Sequence, residues 1–135
     1  ETAGRLLQLQ GNVGASQVQR RLREQYGERE TVSRAARRVL RCFIDWGVLR
    51  DTKEKGIYVA TPLISITNPQ LMAWLIEATL VASEADTKPL QAIIQSPALF
   101  PFSIKFPGTV QLANNDRLEL FRQGLDVDMV SVRAG

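Results

Sequence analysis

Between residues 31 and 46 the chain carries basic and apolar positions with a helical period. At about 100° per residue, Arg34, Arg37, Arg38 and Arg41 crowd into roughly 100° of arc. Val32, Ala35, Val39, Phe43 and Trp46 fall on the opposite side, with Ala36 at their edge. The spacing predicts an amphipathic helix over 31–46, its arginines in solvent and its apolar stripe in the core. Thr31 caps it or Glu30 begins it, and Gly47 supplies the left-handed stop. Upstream, Leu6, Leu7 and Leu9 predict a short helix over 3–9, broken by Gly11-Asn12-Val13-Gly14. Ser16 is the expected N-cap of a helix over 17–26, with Val18, Leu22 and Tyr26 (or Gln25) toward the core and Gly27 as its stop. Downstream, the β-prone runs 48–50 and 57–60 flank Asp51-Thr52-Lys53-Glu54-Lys55-Gly56, the pattern of a hairpin with two lysines in its loop.

The second half is patterned differently. Residues 63–66 suit a short strand, and Asn68-Pro69 is a strong helix start, with a capping side chain followed by proline at the first helical position. The helix over 69–84 is apolar around most of its girth, through Leu71, Met72, Trp74, Leu75, Ile76, Leu80 and Val81. Such a helix must be covered on more than one side, by the chain's own core or by a partner. Thr87-Lys88-Pro89 is expected to open another helix, ending near Ser96-Pro97. Residues 102–106 alternate like a half-buried strand, and 117–122 and 129–132 read as a hairpin around a turn at 123–126. Trp46 and Trp74 read as core residues, and Cys42 as a small apolar filler beside the stripe of helix 31–46.

Charge sharpens this division. The formal net charge is +3, and its distribution is uneven. Residues 1–60 hold twelve Arg and Lys against seven Asp and Glu, whereas residues 61–135 hold five against seven. Basic charge gathered in one part of a chain is what contact with a polyanion requires. A solvated arginine surface is the plain alternative. Glu30 stands four residues before Arg34, and Arg41 four before Asp45, so carboxylates are within reach of the arginines.

Composition removes other chemistry. With no histidine, the chain contains no Ser-His-Asp or Cys-His site and no histidine-bearing zinc site. A single cysteine excludes an internal disulfide and fits a reducing cytoplasm. Gly11-Asn12-Val13-Gly14 lacks the spacing and the lysine of a phosphate loop. Asp116, Glu119, Asp126 and Asp128 read as scattered surface carboxylates rather than a metal site. No apolar run reaches the length that crosses a bilayer. Neither an enzyme nor a cofactor is expected. The chain opens on Glu1 without an initiator Met, as expected of a trimmed chain or a piece of a longer protein.

The order helix, turn, helix, glycine, strand, charged loop, strand over residues 16–61 resembles the winged helix-turn-helix family. The residues that carry the resemblance are Leu40, Phe43, Trp46-Gly47-Val48-Leu49-Arg50 and Gly56-Ile57-Tyr58-Val59-Ala60-Thr61. The expected fold is therefore α+β. A winged helix-turn-helix occupies residues 1–62, and residues 63–135 form an extension of helices and a β-hairpin, packed on the first part or separate. The resemblance implies that helix 31–46 enters the major groove of double-stranded DNA. Ser33, Arg34, Arg37 and Arg38 would lie nearest the bases, Arg41 nearer phosphate, and Arg20, Arg21 and Arg23 on the backbone. Lys53 and Lys55 would reach from the wing. A winged-helix DNA-binding protein, either a transcriptional regulator or the DNA-contacting component of a larger prokaryotic system, is the leading expectation. A protein-interaction module, or a homodimer joined through helix 69–84, is the rival, because winged helices also serve as interaction scaffolds.

Overall fold

The computed structural model describes residues 1–105 and 115–133. The fold is α+β, and the chain divides into two compact units, Glu1–Leu63 and Ile64–Gly135.

In the first unit, helix α1 (Thr2–Gln10) ends at Gly11, whose φ of 77° is the left-handed stop. A two-residue strand β1 (Val13–Gly14) leads directly into α2 (Ala15–Tyr26). The sequence pattern shows only a break at β1, because two residues carry no periodicity. Val13 is nonetheless fully buried, and it pairs with Tyr58. The expected cap at Ser16 is displaced. Gly14 takes the N-cap position, and its backbone N–H donates to Gln17 Oε1 at 3.1 Å. Gln10 Nε2 donates to the same oxygen at 2.8 Å, tying the end of α1 to the start of α2. Val18 is buried in the unit, whereas Tyr26 is exposed.

Helix α3 (Glu30–Asp45) follows. Glu30, not Thr31, begins it, with a carboxylate at the positive end of the helix dipole. The helix closes as the glycine predicts. Gly47 has φ 75°, its N–H donates to Ile44 O, and Val48 N–H donates to Phe43 O. Strands β2 (Leu49–Asp51) and β3 (Ile57–Ala60) then pair antiparallel, and β1 adds to the other side of β3, giving the order β1-β3-β2. Thr52 Oγ1 donates to Ile57 O at 2.8 Å and accepts from Glu54 N–H at 3.2 Å, which fixes the loop between β2 and β3. Thr61 Oγ1 donates to Gly47 O at 2.6 Å, fastening the exit of β3 to the end of α3. Leu6, Val13, Leu40 and Leu49 are among the buried apolar side chains of this unit.

The second unit is built on α4 (Pro69–Ala82), capped as its sequence predicts. Asn68 Oδ1 accepts from the N–H groups of Gln70 and Leu71. Met72, Ala73, Leu75, Ile76 and Leu80 form its buried side, in a core shared with Leu90, Ile93, Leu99, Ile104, Leu118 and Val130. Strand β4 (Ile64–Ile66) pairs in parallel with β6 (Phe102–Ile104). Residue 106 of the strand expected over 102–106 lies outside the described residues. Thr87-Lys88-Pro89 does not open a helix. It forms strand β5 (Thr87–Pro89), and a shorter helix α5 (Leu90–Ile94) follows it. Pro89 fits there because, among the described residues, β5 pairs with β8 alone and its other side is an edge. The hairpin of β7 (Leu118–Gln123) and β8 (Val127–Val132) forms where the alternation placed it. Among the described residues, no helix is long and apolar enough to cross a membrane.

Candidate nucleic-acid interface

Helix α3 presents its arginines to solvent, but its buried side is not the stripe the apolar pattern indicated. Ser33, Ala36 and Leu40 are buried, at the i, i+3, i+7 spacing of a single helical face. Val39 is 50% exposed, Trp46 71% exposed, and Ala35 and Cys42 are also exposed. The inward face is thus turned by roughly 100° around the helix axis from the expected one. The reason is size. Apolar and small residues cover more than half of the helix, so hydrophobicity alone does not select the inward side. The small side chains of Ser33 and Ala36 permit close approach of neighbouring elements, and α2 packs on α3.

This rotation sorts the candidate residues. Ser33 is buried at 7% exposure and does not share the arginine face. Arg37 Nη2 donates to Glu30 Oε1 at 3.0 Å, and Arg41 Nε lies 3.1 Å from Asp45 Oδ1. Arg34 and Arg38 are exposed, and neither makes an ion pair or a side-chain hydrogen bond among the described residues. These two line one open depression of about 410 Å³ with Thr31, Ala35 and Val39. Thr31, Ala35 and Val39 had no functional reading in the sequence, because their apolar or capping character placed them in the core or at the helix start. The signal that could have found them is their spacing from Arg34 and Arg38 along one ridge of the helix.

The arginines of α2 are arranged differently. Arg20 lies at the limit of an ion pair with Glu24, at 3.9 Å. Arg21 lines a separate depression of about 530 Å³ with Glu1, Arg5 and Tyr26, which shares no residue with that of Arg34 and Arg38. Arg23 is exposed and sits in the last turn of α2. Lys53 and Lys55 are exposed in the loop between β2 and β3.

Outside this face, Glu77 and Arg117 perturb each other's titration. The guanidinium of Arg117 hydrogen-bonds Glu77 and holds its carboxyl below the ordinary carboxylate range, while the same bond raises Arg117. Asp128 is engaged by Arg122 at 3.4 Å. Among the described residues, no group of three or more His, Cys, Asp and Glu is placed to hold a metal ion. No protein-family model, no curated protein and no solved structure matches this chain.

Proposed function

We propose that the first unit is a winged helix that binds double-stranded DNA, with α3 in the major groove and the β2–β3 loop as the wing. The order of three helices and three strands, and the β1-β3-β2 sheet, support the fold assignment. The observation that carries the function is the pair Arg34 and Arg38. They are exposed, free of carboxylates among the described residues, and set side by side on one ridge of α3. A guanidinium in that position can bond O6 and N7 of guanine in the major groove. Arg37 and Arg41, each held by a carboxylate, suit contact with phosphate. Lys53 and Lys55 suit phosphate contact beside the groove, and Arg20, Arg21 and Arg23 suit backbone contacts that position without reading sequence.

The test is a duplex-binding titration across salt concentration, comparing wild type with Arg34→Ala/Arg38→Ala. Wild type should bind with an affinity that falls steeply with salt, and the variant should bind more weakly with a shallower dependence. Equal affinity and equal salt slope would overturn the assignment.

A second reading rests on α4. Leu71, Trp74, Ala78 and Val81 are exposed at 3-4-3 spacing, opposite the buried side of that helix. This is the spacing of a helix seam, and it favours assembly through α4. A chain that sediments as a monomer at micromolar concentration would remove this reading.

A further inference from the structure

The exposed ridge of α3 is not uniformly basic. Thr31, Arg34, Ala35 and Arg38 follow one another at i, i+3, i+4 and i+7, and Val39 closes the same depression. Two guanidinium groups with no ion pair among the described residues thus border two apolar side chains in one shallow surface. Purely electrostatic attachment to phosphate makes no use of Ala35 and Val39, which would remain wet or lose water without a matching surface. The edge of a DNA major groove offers both complements. Guanine presents two acceptors, and thymine presents a methyl group. The charge of Arg34 and Arg38 selects a polyanion as the occupant, and the apolar strip beside them selects the part of that polyanion carrying a methyl.

Resting on the DNA-binding reading above, we infer that α3 reads thymine methyl groups through Ala35 and Val39, next to guanines read by Arg34 and Arg38. The two arginines are one helical turn apart, about 6 Å along the axis, or roughly two base-pair steps. The preferred site therefore has guanines about two steps apart with at least one thymine among or beside them.

Selection from a random duplex library with the full chain yields the preferred site. Each thymine of that site is then replaced by deoxyuridine, which removes only the methyl. Replacement at one or more positions beside the guanines should weaken binding about fourfold, the loss expected for one methyl-sized apolar contact. In Val39→Ser and Ala35→Ser the replacement at the thymine that each residue contacts should have little further effect, because that contact is already lost. If the selected site binds equally well with every thymine replaced, or if the variants remain as sensitive as wild type, the inference is overturned while the DNA-binding reading stands. If no duplex binds with salt dependence, both fall.

Discussion

Glu30 is joined to Arg37 across two turns of α3, at 3.0 Å, and this choice of partner leaves Arg34 open. The i, i+4 geometry would equally allow Glu30 to reach Arg34. Had it done so, the exposed ridge would hold one unneutralised arginine instead of two. Glu30→Gln should therefore free a third arginine, Arg37, beside Arg34 and Arg38. Duplex affinity at low salt should rise, and the slope of log K against log salt should steepen by about 0.9, the increment for one added phosphate contact. Folding stability should change by no more than about 1 kcal/mol, since both partners are exposed and the remaining loss is a dipole interaction in the first turn. Salt-dependent anisotropy and a urea melt check the two halves. An affinity that falls would show that Arg37 does not serve the face.

Under the proposed DNA-binding function, the loop between β2 and β3 makes a separable contribution. Thr52 holds the loop by hydrogen bonds to Ile57 and Glu54, and the exposed lysines 53 and 55 are not part of that fastening. Lys53→Ala/Lys55→Ala should leave the melting temperature in place. It should flatten the salt slope by about two units, equally for preferred and unrelated sequences. A loss confined to the preferred sequence would instead assign base contacts to that loop.

Two neighbours on α3 test the rotated face directly. Leu40 is 4% exposed and Val39 is 50% exposed. Leu40→Ala should cost about 2–5 kcal/mol of stability through lost burial and a residual cavity. Val39→Ala should change stability by about 0.5 kcal/mol or less, because the site is solvent-facing. Reversed magnitudes in a denaturant series would restore the face that hydrophobic pattern alone suggests.

The contrast shows what was legible in the sequence. Local signals held where one residue has one physical role. Asn68-Pro69 caps α4, Gly47 closes α3, and the alternation over 117–132 becomes the β7–β8 hairpin. Signals failed where several faces were equally apolar, or where an element was too short to carry a period. Helix α3 is apolar or small over so much of its circumference that Ser33 turns inward while Trp46 turns out. Trp74 is likewise 63% exposed, although bulk and hydrophobicity placed it in the core. Strand β1 has two residues, and only its partner β3 defines it. The position of the arginine ridge was readable from periodicity. Which arginines are free was not, since that depends on the rotamers of Glu30 and Asp45.

Glu77 and Arg117 provide a pH handle on the second unit. Arg117 Nε and Nη2 both donate to Glu77 Oε1, at 3.0 and 2.5 Å, linking α4 to the residue just before β7. The hydrogen bond lowers the pKa of Glu77 in the folded state. A carboxyl lowered in this way contributes stability that is fully present above its unfolded pKa and is lost as pH falls through the folded one. The loss therefore falls in the ordinary carboxylate range and below it, and neutral pH is unaffected. The raised Arg117 contributes in the opposite sense, lost only at strongly alkaline pH. Glu77→Gln should destabilise the unit near pH 7 and bring the two proteins closer together as pH approaches 3. Urea melts of both proteins between those limits measure the convergence. Because every other carboxylate is common to both proteins, parallel curves across the whole range would show that the pair adds nothing to folding.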